Sequence, residues 1–289
     1  RYFHAIPAAI YVGAYTGVWC TGLVVSGRLR LPLVLTAPAL WVALDFLKAH
    51  MGFLSLPWAS LAHSQYKYPV LIQIAAVTGE YGVTFLIIAV NAALAACFLG
   101  IVYRQQIAAA VLLTVSLVFG SCQLSLKDNS LSHKTAVAQP CIDAGELRRD
   151  PQQTATISRL RDMTERVAGN APELIVWPET AIISLGASPE IQRTLKSLSS
   201  TYKTALVTGT SERVKFNDYP LRGSENESTR AYNSAFVIVN GNISPEPYRK
   251  TRLVPFGEYR PLERFVQWPR WFAGSGFQTI AGEGLKVFR

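Results

Sequence analysis

"ELIVWPETAI", residues 173–182, decides how the rest of the chain is read. A run of apolar residues ends at Trp177-Pro178, and the next residue, Glu179, is a carboxylate. Leu, Ile, Val and Trp favour a pleated, buried surface. Proline cannot donate to a ladder, so the pattern predicts a strand that stops at Pro178, where the chain turns toward a helix. In α/β domains the groups just beyond the carboxyl ends of strands face the ligand crevice. Position makes Glu179 a candidate catalytic group, with capping of the following turn through backbone N–H groups as the competing role.

Working outward, strands and helices alternate. "TAVAQP" (135–140) predicts a strand. Asp150-Pro151 opens a helix with an N-cap and a first-turn proline, and Gly169 closes it. Ser188-Pro189-Glu190 opens a second helix that runs to about Tyr202, and "TALVTGT" (204–210) is the next strand. Asn240-Gly241, set between two extended runs, favours a type I′ hairpin. The order predicts an α/β sandwich whose strands ELIVW and TALVTG are buried on both faces. After the hairpin comes "YRKTRLVPFGEYRPLERF" (248–265), with Lys250 ending an extended run and Glu258 following the rigid turn Pro-Phe-Gly. Two carboxylates and a lysine at loop ends are the parts for general-base activation and oxyanion stabilisation. A plainer alternative makes Arg249, Lys250 and Arg252 a solvated basic edge that discourages strand pairing.

The first half has a different solvent. Of the 289 residues 49% are hydrophobic and 16% charged, which argues against a purely soluble globular chain. Residues 1–124 hold six basic and two acidic residues, a net +4 of the chain's +9. Apolar stretches at roughly 5–25, 31–49, 81–102 and 106–124 each approach the ~20 residues of helix that cross a bilayer. The segment 52–79 is broken by Pro57 and Pro69 and carries His63, Gln65 and Lys67, which predicts a re-entrant or interfacial element. Arg28 and Arg30 in one short loop and Arg104 in another belong on the cytoplasmic side. Residues 1–124 therefore form a transmembrane helical domain and 125–289 an extracytoplasmic one. Cys20, Cys97 and Cys122 fall in apolar spans as small buried side chains, and Cys141 has no disulfide partner. His4, His50, His63 and His133 show no ligand spacing, so no metal and no cofactor is expected, nor any nucleic-acid partner.

"LIVWPET" together with "YRKTRLVPFGEY" resembles the carbon–nitrogen hydrolase (nitrilase) superfamily. "WVALDFLK" and "PWASLAHSQYKYPVLIQIAAVTGEYGVTFLIIAVNAALA" resemble its apolipoprotein N-acyltransferase branch, and the likeness runs from about residue 35 onward. The resemblance implies a membrane α-helical bundle followed by an α/β nitrilase-like sandwich domain, incomplete at its C-terminus. It implies Glu179 as base, Lys250 as oxyanion partner and Glu258 as a further acid of the site. The branch's cysteine nucleophile matches nothing here: it is expected after Arg289, Cys141 lies in the wrong motif, and the chain resembles a fragment cut at both ends. Further implied are a phospholipid acyl donor, a diacylglyceryl-modified lipoprotein acceptor, and a bilayer setting in the bacterial inner membrane with the catalytic domain on the periplasmic side. A monomer is expected. In "ERFVQWPRWFAGSGF", Trp268, Trp271 and Phe272 suit a flap that admits an acyl chain, or else aromatic cover for the core. A membrane-tethered amidase that passes its acyl group to water, and a catalytically dead scaffold should the gene end at Arg289, remain as alternatives.

Overall fold

The computed structural model describes residues 5–100, 103–126, 133–142, 153–215, 229–262, 265–266 and 278–288. It forms two compact units, Arg1–Asn129 and Ser130–Arg289.

In the first unit, helices α1 (Ala5–Arg28), α2 (Leu33–His50), α4 (Ala75–Phe98) and α5 (Arg104–Ser125) are each long and apolar enough to cross a membrane. Their contact surface is built from small and branched residues: Val34 and Ala37 of α2, Ile88, Ala89, Ala92 and Ala93 of α4, and Ala109 of α5. Alanines let helix backbones approach closely, the packing that works where lipid leaves no hydrophobic drive between helices. Trp19 closes one side, donating from its indole to the Ala37 carbonyl at 2.9 Å and meeting Trp41 edge-on. The outward faces are apolar and exposed, Ile10, Val77 and Phe98 among them. Cys20, Cys97 and Cys122 also lie exposed on these outer surfaces, not buried as expected. A thiol is apolar enough for a lipid-facing position.

Between α2 and α4 the chain makes two 3₁₀ turns, Gly52–Leu54 and Leu61–Gln65, and a single helical turn α3 (Pro69–Ile72). Ser55 Oγ donates to the Ala49 carbonyl at 2.5 Å, Lys48 pairs with Asp45 at 2.8 Å, and Ser60 meets the fully buried Thr84 at 3.2 Å. Helix α5 lies directly on α3, since a Cβ at Gly120 would fall 1.9 Å from the Val70 carbonyl oxygen. The predicted span begins at residue 81, where the continuous part of α4 begins just past Gly79; that glycine, at φ 65° and ψ −170°, breaks the helix and sets off the turn Ala75–Thr78 ahead of it. Only glycine takes that conformation without strain.

Among the described residues, the second unit is one sheet with two α-helices on one face. Strands β1 (Thr135–Val137), β2 (Leu174–Val176) and β4 (Ala205–Lys215) are parallel neighbours, and β4 pairs antiparallel with β5 (Thr229–Val239) along its whole length. On its other edge β5 carries three short strands in succession: β6 (Asn242–Ile243), β7 (Tyr248–Arg249) and β8 (Gln278–Ile280). Asn240 and Gly241 both have positive φ, 50° and 76°, as the I′ hairpin requires. Helices α6 (Thr154–Ala168) and α7 (Pro189–Tyr202) supply Leu160, Ile191, Leu195 and Leu198 to a core completed by Ile175, Trp177, Leu206 and Ile238. Truncating a fully buried member such as Leu160 or Leu195 to alanine costs about 2–5 kcal/mol. Asp150-Pro151, the predicted helix start, lies outside the described residues; the helix is described from Thr154, with Gly169 at its end. The strands are not buried on both faces. Along β4 burial alternates, with Leu206, Thr208 and Thr210 buried and Ala205, Val207 and Gly209 half-buried, because the helices cover one side only.

Candidate active site

Glu179 stands on a bulge, not on a strand-to-helix turn. After β2 the chain leaves the sheet and rejoins it as β3 (Ile182–Ile183), parallel to the same strand β4. Residues Trp177–Ala181 thus stand opposite only Thr208 and Gly209. Pro178 has no N–H for the ladder, and Thr180, at φ 53°, turns the chain back. The bulge is pinned at both ends. The Trp177 indole donates to Thr164 of α6 at 3.0 Å, while the buried Gln153 accepts from Ile183 N at 2.5 Å and donates to the Ala181 carbonyl at 3.4 Å. Its underside rests on Gly209, where a Cβ would fall 2.6–2.7 Å from backbone atoms of Pro178, Glu179 and Thr180.

Opposite this bulge, Lys250 leaves the end of β7. Its N–H donates to the Asn233 carbonyl at 2.8 Å and its carbonyl accepts from Gly282 N at 2.9 Å. The Pro-Phe-Gly turn folds Glu258 back: Phe256 has φ 61°, and Glu258 Oε2 accepts from Val254 N at 2.7 Å. The structure therefore brings the three predicted residues together. Lys250 Nζ lies 2.9 Å from Glu179 Oε1 and 2.9 Å from Glu258 Oε1. Asn233 of β5 joins both carboxylates, donating from Nδ2 to Glu179 and, at 3.2 Å, to Glu258. An ammonium has three donors, and two are spent on the carboxylates, which leaves one for a ligand.

Exposure separates the roles. The side chains of Glu179, Lys250 and Glu258 are 63, 28 and 18% exposed, so Glu179 faces outward and Glu258 is the inner anchor. Hydrogen bonding from Lys250, with help from Asn233 and against partial burial, lowers the Glu179 pKa. It is a carboxylate at neutral pH, ready to take a proton. Burial is the largest single influence on Lys250 and works against its charge, but the bonds to Glu258 and Glu179 together outweigh it and the pKa is raised. Lys250 is thus held as a cation, suited to stabilising negative charge and unsuited to act as nucleophile or base.

Asn233 was not legible as a site residue, though "AYNSAFV" holds a signal. It shares a strand face with Ala231, Ala235 and Val237, where one strong polar side chain interrupts an apolar row. Arg249 is not part of a solvated edge: it pairs with Glu212, because β7 is annealed to β5. Arg252 is exposed. Cys141, four residues past β1, is exposed and outside this hydrogen-bonded group. Trp268, Trp271 and Phe272 lie outside the described residues. A cavity of about 1020 Å³ lies on the helix side among Gln153, Ser184, Thr194 and Phe236 and contains none of the three charged residues. Chemistry, not volume, marks the site.

Residues 134–287 match the family described as carbon-nitrogen hydrolase. The chain belongs to that family. Residues 2–93 match a second family, described as the apolipoprotein N-acyltransferase N-terminal domain. Among curated proteins, an apolipoprotein N-acyltransferase of Geobacter metallireducens is 31% identical over 270 residues, 89% of this chain and 49% of that one. Another, of Chlorobaculum tepidum, is 30% identical over 81% of this chain and 47% of that one. The chain spans about half the length of the curated relatives it matches. Among solved structures, a carbon-nitrogen hydrolase from Helicobacter pylori G27 is 16% identical with a TM-score of 0.32 over 52% of this chain and 45% of that one. Membership in the carbon-nitrogen hydrolases rests on the sequence match.

Proposed function

We propose that this chain belongs to an acyltransferase that moves a fatty acyl group from a phospholipid to the α-amino group of a lipoprotein's N-terminal diacylglyceryl-cysteine. The observation that carries the reading is Lys250 shared between Glu179 and Glu258 in a chain whose described residues include four membrane-length helices. Both reactants are anchored in lipid, and a lipid-embedded unit fused to an acyl-transfer site suits them.

Glu179 takes the proton of a cysteine thiol, and the thiolate attacks the ester carbonyl of the phospholipid. The oxyanion that forms takes the remaining donor of Lys250. As the carbon–oxygen bond breaks, the proton on Glu179 passes to the leaving glycerol oxygen, giving lysophospholipid and an acyl thioester. The acceptor amine then attacks the thioester, its proton returns through Glu179 to the departing sulfur, and an amide remains. Glu258 and Asn233 keep Lys250 and Glu179 at hydrogen-bond distance throughout. The positive-inside pattern puts residues beyond 126 outside the cytoplasm, where such lipoproteins are matured.

The test is transfer itself. The full-length protein in phospholipid vesicles labelled in the acyl chain, given a diacylglyceryl-cysteine peptide, should yield label in a hydroxylamine-resistant amide. Label recovered only as free fatty acid would replace the reading with a hydrolase. A reporter active only outside the cytoplasm should work when fused just after Leu126 and fail when fused at Arg104; the reverse would overturn the orientation.

A further inference from the structure

Lys250 stands at the end of a very short strand. Strand β7 has two residues, Tyr248 and Arg249, paired with Ala235 and Ser234 of β5. Yet the Lys250 ammonium sits at 2.9 Å from each of two carboxylates borne by other segments. On the opposite side of the strand Arg249 makes a two-pronged bond to Glu212 of β4, Nε to Oε2 at 3.0 Å and Nη2 to Oε1 at 2.8 Å. Glu212 is itself fixed by the hydroxyl of the buried Ser234, 3.0 Å away, and the guanidinium lies 4.2 Å over the Tyr232 ring. A planar fork bonded twice and stacked once cannot turn or slide without losing all three contacts. Strand β4 also carries Gly209, on which the Glu179 bulge rests. The same strand thus references both Glu179 and, through Arg249, Lys250.

We propose that Arg249 and Glu212 are positioning residues that set Lys250 against Glu179 and Glu258 by clamping β7 to β4 from the face opposite the site. The proposal deepens the acyltransferase reading and rests on it for its kinetic part. A misplacement of about 1 Å at a reacting group can cost about a hundredfold in rate. Arg249→Lys keeps the charge but not the fork, and Glu212→Gln keeps the volume but not the charge.

The experiment compares the full-length protein with both variants in vesicles, by two readouts. The first is transfer to the diacylglyceryl-cysteine peptide: kcat should fall about ten- to a hundredfold with KM within about twofold, since neither residue meets the substrate. The double variant should be little worse than either single one. The second needs no activity: trace acetylation of lysines across a pH series, read by mass spectrometry with the exposed Lys196 as internal reference. Among the described residues, the ionisable groups that face Lys250 are Glu179 and Glu258. If the clamp sets those contacts, Lys250 should become reactive at lower pH in either variant. An unchanged Lys250 profile overturns the proposal, whatever the rates do. A shifted profile in a protein that transfers nothing to the peptide upholds the clamp and removes the acyltransferase reading. Either variant suffices should the other fail to fold.

Discussion

Arg249 and Lys250 are neighbours in the chain, but period-two alternation puts them on opposite faces of β7 and into two different kinds of charge cluster. The Arg249 cluster is braced: a guanidinium fork meets one carboxylate with two parallel bonds, a hydroxyl also holds that carboxylate, and the cation stacks on a ring. The Lys250 cluster is open, with one compact cation divided between two carboxylates and a donor to spare. A permanently charged, rigid group serves where geometry must be kept. A small ammonium that can redirect a donor serves where charge appears and disappears. The contrast separates structure from chemistry within two consecutive residues.

The most direct way to break that contrast is to delete each side. Glu179→Gln and Lys250→Ala should each lower transfer by at least about 10³-fold, roughly 4 kcal/mol of transition-state stabilisation, while the protein still inserts and folds. Losses at Arg249→Ala as large as those at Lys250→Ala, in acyl-transfer assays, would erase the distinction. Next in size is Gly209→Ala. The new methyl meets backbone, not flexible side chain, at 2.6–2.7 Å, so the Glu179 bulge must lift. Overpacking of this kind costs about 1–3 kcal/mol, and activity should fall well below what the lost stability explains. Wild-type rates in this variant would show that the bulge does not need its seat.

A smaller effect concerns pH. Glu179 and Glu212 both have folded pKa values held below the ordinary 4.5, chiefly by Lys250 and Arg249 respectively. A depressed carboxylate adds stability above its unfolded pKa, and that stability is lost as pH falls through the folded value. Lys250, raised above 10.5, has the opposite sign: its contribution is present below 10.5 and lost as pH rises through the folded value. Lys250→Ala should therefore flatten the acid-side loss owed to Glu179 and leave that owed to Glu212, by less than about 1 kcal/mol since these groups meet solvent. Denaturant midpoints measured from pH 2 to 6 give the answer, and an unchanged acid slope in Lys250→Ala would contradict the pairing. Smallest of all, Arg252→Ala should alter transfer and stability by no more than about 0.5 kcal/mol, because its side chain is exposed. A larger loss would mean that the basic stretch has a third cluster.

How much of this was legible in the sequence depends on how far apart the partners lie. Glu179 and Glu258 are announced by proline and glycine within a few residues, and Lys250 by the end of an extended run, so local rules reach them. The bulge is not local. That β3 resumes pairing with the strand β2 had left depends on β4, about thirty residues on, and the segment alone looks like a strand that simply stops. Alternation at 249 and 250 predicts opposite faces, but nothing nearby names Glu212 as the partner of Arg249. The helical spans were legible from length and apolarity, whereas the helical turn that precedes the break at Gly79 was not, since one glycine's dihedral angles separate it from the span.

The break at Gly79 has a mechanical consequence for the bilayer. An unbroken helix of the 24 residues of α4 would rise about 36 Å, some 6 Å more than a typical hydrocarbon core of about 30 Å. From Glu80 to Phe98 the rise is about 28 Å, close to that thickness. Hydrophobic mismatch that other helices relieve by tilting is relieved here by a bend, and the helix beyond the break can stand close to the membrane normal. The break sets the turn Ala75–Thr78 apart from that length. At the break itself, Thr78 Oγ1 donates to the Ile74 carbonyl at 2.9 Å and to the Gly79 carbonyl at 3.3 Å.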